Sequence, residues 1–254
     1  MGAIAEGQLQ SVRASMRRAN LHDHIVDALG VRVIRGDFGE GAVLPNEPTL
    51  AAELGVSRNA LREAVKVLVS KGLVEVRQKT GTRILPREEW NLLDKEVLGW
   101  VTQSGQALHH AMGLVEFRLI FEPKASYLAA IRATEDETTA ISSACDDLEA
   151  CIGKPLDVMS DIDLRFHQAI LRASHNDVLM HLGSLVASLM KIQVVTTSQN
   201  QAELVVGVQQ HRDLANAIVK GDAMAAERAS RLLVLAPYER LSDTIGLPAN
   251  LRLK

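Results

Sequence analysis

Only two cysteines, Cys145 and Cys151, occur in the 254 residues of this chain. That number cannot supply a disulfide framework, and in a reducing compartment the two thiols are most simply small buried hydrophobes. No apolar run approaches the ~18 residues needed to cross a bilayer, so no membrane partner is expected. The N-terminus lacks the basic and apolar regions of a signal peptide, which points to the cytoplasm. Aromatics are also sparse, at two Trp, two Tyr and four Phe. Strict apolar–polar alternation is missing except around residues 73–85, which excludes an extended sheet.

What the chain does contain is aliphatic residues at helical spacing. A hydrophobic content of 47% is enough for a sizeable core and one to two domains. Long stretches repeat at i, i+3, i+4 and i+7, so the fold class is mainly α with one small hairpin. The net charge of −3 hides an asymmetry. Residues 1–87 carry 13 Lys+Arg against 9 Asp+Glu, and residues 88–254 carry 15 against 22. A basic head on an acidic body fits nucleic-acid contact confined to one end.

The informative stretch is Leu44–Pro86. Residues 1–19 have weak periodicity and read as a flexible arm. Leu21–Arg35 follows as a helix with Leu21, Ile25, Leu29, Val33 and Ile34 on one face. Pro48–Leu54 is a short helix with Leu50, Ala51 and Leu54 inward. Gly55 supplies a turn, and Ser57 is a natural N-cap for a helix over Arg58–Lys71. Gly72 ends that helix, and strands Leu73–Arg77 and Thr82–Leu85 form a hairpin around Gln78–Gly81. On the second helix Leu61, Ala64, Val65 and Leu68 form an inward stripe, while Arg58, Arg62 and Lys66 share the opposite face. This is a winged helix-turn-helix, in which a recognition helix enters the major groove. Arg suits bidentate contact with guanine, worth about 1–3 kcal/mol of discrimination per pair. Asn59 can read adenine or hold a phosphate, and Thr49 and Ser57 suit phosphates. Lys79, Thr80 and Gly81 at the hairpin tip fit a minor groove.

The segment resembles the DNA-binding domain of GntR-family transcription regulators. Their pattern of Leu-Pro-x-Glu, Leu-Ala, Gly-Val-Ser-Arg and Leu-Arg-Glu-Ala is matched at Leu44–Glu47, Leu50–Ala51, Gly55–Arg58 and Leu61–Ala64. The resemblance implies DNA contacts from Ser57, Arg58, Asn59, Arg62 and Gly81. Several members carry a basic residue where this chain has Pro48, so a contact from that position is lost.

Beyond Pro86, residues 88–101 read as a connector in which Trp90, Leu93, Val97 and Trp100 form one apolar stripe. Six helices are expected at about 104–132, 135–152, 155–174, 176–199, 201–220 and 222–243, with Thr134 and Glu137 as a capping box. Asp163 and His167 lie four apart on one helix face, a spacing that suits two ligands of one metal ion as well as a hydrogen-bonded core pair. His211 falls on a later helix. This region is similar to the FCD effector domain of the FadR-type subgroup, through Phe117-Arg118-x-x-x-Glu122-Pro123, Asp163-x-x-x-His167, Ala173–Asn176 and His211. Many such domains hold a metal with one Asp and three His. Here Leu233 stands at the position of the last His, leaving Asp163, His167 and His211. The metal implied is divalent: zinc, with nickel or manganese as alternatives. Arg118 can fork onto an effector carboxylate or pair with Glu122. Asn176 can cap a helix or touch the effector. The connector resembles that of sugar-acid operon repressors of the galactonate type.

The domain plan is therefore an arm at 1–19, a winged domain at 20–87, a connector at 88–101, an antiparallel helical bundle at 102–243 and a tail at 244–254. The expected function is a homodimeric, ligand-responsive repressor that leaves its double-stranded operator when a small carboxylate, such as a sugar acid, enters the helical domain. The chain is not expected to be an enzyme. The alternatives are a metal-dependent enzyme built on Asp163, His167 and His211, an activator, or a metal sensor.

Overall fold

The computed structural model describes residues 22–183, 201–248 and 252. The expected arm at 1–19 lies outside them. The chain divides into two compact units, Met1–Gln106 and Ala107–Lys254.

In the first unit, helix α1 covers residues 22–35 and buries Ile25, Val26, Leu29, Val33 and Ile34. It ends in a Schellman motif: Asp37 N–H donates to Arg32 O and Gly36 N–H to Val33 O, with Gly36 left-handed at φ 88°. Helix α2 is Glu47–Leu54, capped by the Asn46 side chain, which accepts from Thr49 N–H at 3.0 Å. Gly55, at φ 66°, turns the chain. Ser57 then caps α3, Arg58–Ser70, through Ala60 N–H at 3.2 Å. Leu61, Ala64 and Leu68 are buried as expected, while Val65 is only half-buried. Gly72 has two reasons to be glycine. It sits at φ 72°, and a Cβ there would lie 2.8 Å from Glu89 O.

The hairpin pairs β1, Val74–Arg77, with β2, Gly81–Ile84, in the register Val74↔Ile84 to Arg77↔Gly81. Residues 42–44 add a short third edge, with Leu44 N–H donating to Thr82 O and Ile84 N–H to Ala42 O.

Residues 88–101, expected as a connector, are built into this unit. Helix α4 is Lys95–Gln103, capped by Asp94, and buries Val97, Leu98, Trp100 and Val101. Trp100 lies on Gly30 of α1 and donates Nε1–H to Asp27 at 2.8 Å. Trp90 is buried and donates to Leu85 O. The expected apolar stripe loses one member: Leu93 is 54% exposed, because it precedes the helix and does not share its face. Lys71 is buried and ion-paired with Asp94 and Glu96.

The second unit contains helices α5 (Ala107–Arg132), α6 (Glu135–Glu149), α7 (Leu156–Ala173), α8 (Asp177–His181), α9 (Gln201–Val219) and α10 (Ala223–Thr244). Helix α5 lies along α10, α10 along α9, α9 along α6, α6 along α7 and α7 along α5, which closes a ring. Its core holds Ile141, Phe166, Ile170, Leu214, Ile218 and Leu233. Cys145 and Cys151 are free and buried there. The Thr134–Glu137 capping box is present. Where a helix over 176–199 is expected, α8 ends at His181 with Leu182 as its C-cap. Residues 184–200 lie outside the described ones.

Candidate functional site

The winged unit presents its polar face on α2, α3 and the hairpin tip. Thr49, Ser57, Arg58, Asn59, Arg62, Lys66, Lys79, Thr80 and Gly81 are all exposed. Their side chains are not equally free. Ser57 spends its oxygen on the α3 cap, and Thr49 donates its hydroxyl to Asn46. Lys66 pairs with Glu63 on its own helix at 2.8 Å. Arg62 pairs with Glu47 on α2, with Nε at 2.9 and 2.8 Å from the two oxygens and Nη2 at 2.7 Å. That guanidinium holds the Glu47 carboxyl below the usual carboxylate range. The tip is a tight turn with Lys79 left-handed at φ 68°. Arg77 and Arg83, which fall inside the strands and carry no contact motif of their own, also lie exposed on the wing.

In the helical unit, Asp163 and His167 on α7 meet His211 on α9. Their candidate ligand atoms lie within 4.8 Å of one another. Asp163 Oδ1 is 2.7 Å from His211 Nε2 and 3.5 Å from His167 Nε2. The outer ring nitrogens are also held: His167 Nδ1 lies 3.0 Å from Glu122 Oε2, and His211 Nδ1 lies 2.7 Å from Gly207 O. Each ring therefore faces an acceptor on both sides. A neutral imidazole has one N–H, so the arrangement calls for a second proton or for a cation between Nε2 and Asp163. Anchored outer nitrogens with converging inner ones are what a histidine metal site needs. The donor set fits a divalent ion such as zinc.

The electrostatics come from a buried chain of charges. Arg118 and Glu122 are one turn apart on α5 and both buried, with Nε to Oε1 at 2.6 Å. Burial pushes the Glu122 carboxyl up, but the Arg118 guanidinium and the His167 ring outweigh it and hold it at about 2. Burial opposes charge on His167, yet Glu122 and Asp163 prevail and raise it to about 9. For Asp163, burial also raises the carboxyl and the two histidines win, keeping it ionised.

Two expected effector residues are already engaged. Arg118 makes the ion pair with Glu122. The Asn176 side-chain oxygen caps α8, accepting from Val178 N–H at 3.0 Å and Leu179 N–H at 3.2 Å. Leu233 is buried in the core. Sequence reasoning missed the link from Glu122 to His167. The Arg118–Glu122 spacing was visible, but the His167 partnership depends on how α5 packs on α7.

Two family models match the chain. One is described as bacterial regulatory proteins, gntR family, at residues 21–84; the other is the FCD domain, at residues 113–235. The galactonate operon transcriptional repressor of Escherichia coli K12 is 32% identical over 225 residues, which cover 88% of this chain and 98% of that protein. The chain belongs to the GntR family. A second relative, the putative L-lactate dehydrogenase operon regulatory protein of the same strain, is 32% identical over 214 residues, covering 82% of this chain and 81% of its own length. The solved structure of Lar, which controls expression of the Listeria monocytogenes agr system, has the same fold. Its TM-score is 0.61 at 16% identity, covering 88% of this chain and 97% of Lar. This GntR-family protein is a transcription regulator with a DNA-binding winged domain and an FCD effector domain, and the enzyme reading of Asp163, His167 and His211 is set aside. Among the described residues no helix is long and apolar enough to cross a membrane.

Proposed function

We propose that this GntR-family regulator is a cytoplasmic, homodimeric repressor of a catabolic operon for a sugar acid or related small carboxylate. The observation that carries the reading is the convergence of Asp163, His167 and His211 inside the domain class that takes effectors. A divalent ion there would be held by Asp163 Oδ1 and the two Nε2 atoms and would offer open positions to a carboxylate and an adjacent hydroxyl. Glu122 keeps the His167 ring oriented, and Arg118, paired with the other side of that carboxylate, adds fixed positive charge beyond it. The identity of the galactonate operon repressor as a relative supports a sugar acid as the ligand class.

On the DNA side, Arg58, Asn59 and Arg62 read bases while Thr49, Ser57, Lys66 and the tip residues Lys79, Thr80 and Gly81 hold phosphates and the minor groove. A single winged domain covers little DNA, so two subunits on a two-fold operator are expected. The effector must bind the released state better than the DNA-bound state, since equal affinity shifts nothing.

The test is a thermal-shift screen of aldonates and other small carboxylates on metal-loaded protein. Each hit is then scored for release of a duplex selected from a random pool. A melting shift with release supports the proposal; hits that leave the duplex bound would refute effector control. Metal analysis of His167→Ala tests the centre, and metal content equal to wild type would remove His167 from it.

A further inference from the structure

The basic side chains on the outer face of α3 are not treated alike. Lys66 pairs within its own helix, but Arg62 is held by a carboxylate from α2, fifteen residues earlier. Glu47 takes the Nε–Nη2 edge of the Arg62 guanidinium. The opposite edge, Nη1–Nη2, is left facing away from that partner. It presents two parallel N–H groups, the fork that matches guanine O6 and N7. The backbone of Glu47 is fixed as the first residue of α2 beside the Asn46 cap, and a carboxylate is favoured at a helix N-terminus. A free surface arginine would lose its rotamer freedom on binding; this one is ordered beforehand, which lowers the cost of recognition. A bare carboxylate on a DNA-facing surface would repel phosphates, whereas here its charge is neutralised by the residue it holds.

The geometry points to Glu47 as a positioning residue that sets base discrimination by aiming Arg62. The inference rests on the reading above that α3 enters the major groove.

The experiment uses the full-length protein and a duplex selected from a random pool by the wild type. Its single-base-pair variants and a non-specific duplex are titrated against wild type, Arg62→Ala, Glu47→Ala, Glu47→Gln and the Arg62→Ala/Glu47→Ala double variant. Arg62→Ala identifies the base pair that Arg62 reads. Glu47→Ala is expected to lose about tenfold discrimination at that same pair, without weakening the non-specific duplex. Glu47→Gln keeps one acceptor and should retain an intermediate preference. The double variant should discriminate no worse than Arg62→Ala alone. If both Glu47 variants shift affinity equally for every duplex and leave discrimination intact, Glu47 acts only as a charge and the inference fails. Arg62→Ala binding like wild type would instead defeat the underlying reading of α3. Circular-dichroism melts of each variant separate unfolding from altered recognition.

Discussion

Single residues in the first unit carry more of its architecture than their types suggest. Gly30 is one. A Cβ there would lie 2.4 Å from the Trp100 ring, closer than packing allows, so α1 and α4 would have to separate. Gly30→Ala is expected to destabilise the winged unit by about 1–3 kcal/mol, read as a lower urea midpoint by tryptophan fluorescence. The Lys71–Asp94 pair makes a second case. Burial raises the Asp94 carboxyl, but Lys71 and the α4 amides outweigh it and hold it down. A lowered carboxylate stabilises the fold above its unfolded pKa, about 4, and that contribution is lost as pH falls through the folded value. Asp94→Asn keeps a capping oxygen and removes the charge. The variant should be less stable than wild type by about 1.5–3 kcal/mol at neutral pH, and the difference should begin to shrink below about pH 4 and vanish only once the pH lies below the lowered value of the folded carboxyl. A constant difference across that range would remove the ion pair as its cause. Leu93 teaches the opposite lesson. It is apolar and in phase with Trp90 and Val97 on paper, yet it is exposed because α4 begins only at Lys95.

Helix boundaries were largely legible because the chain marks its ends with chemistry. Ser57 and Thr134 cap helices where the sequence places them, and Gly36, Gly55, Gly72 and Gly221 follow helix ends at positive φ; Asn46, Asp94 and Asp222 cap three more in the structure. Ser57 bears on both stability and function, because it opens the helix that presents Arg58 and Arg62. Ser57→Ala should cost about 1 kcal/mol, read as a lower urea midpoint with an unchanged m-value. A changed m-value would mean a wider loss of structure than one cap. The role of residues 88–101 was less legible. Their composition suits a connector, but Trp100 finds a partner at Asp27, 73 positions away. No local pattern announces such a contact.

At the scale of the whole molecule, the two units provide separate reporters. Both tryptophans, Trp90 and Trp100, lie in the first unit, while the candidate metal ligands all lie in the second. A ligand that binds only the folded state stabilises by RT ln(1 + [L]/Kd), about 2.7 kcal/mol at a hundredfold excess over Kd. Chelation of metal-loaded protein should therefore lower the melting of the helical unit, followed by far-ultraviolet circular dichroism. The tryptophan-fluorescence transition should stay in place. Equal shifts in both signals would place the metal elsewhere or make the units unfold as one.

Asp163 and His167 were readable as neighbours from their spacing alone, since residues four apart on a helix share a face. That local rule also put Arg58 beside Arg62 and Arg118 beside Glu122. The GntR and FCD classes could likewise be read from contiguous motifs, because turns, caps and inward stripes are encoded over a few residues. Tertiary structure decided the rest. The packing of α9 on the bundle brought His211 to Asp163, and that of α5 on α7 brought Glu122 to the far side of His167. The seating of α2 against α3 placed Glu47 on Arg62, and that of α4 on α1 drew the expected connector into the winged unit. These pairings join residues distant in the chain, and their geometry depends on side-chain packing between whole helices, which periodicity does not encode.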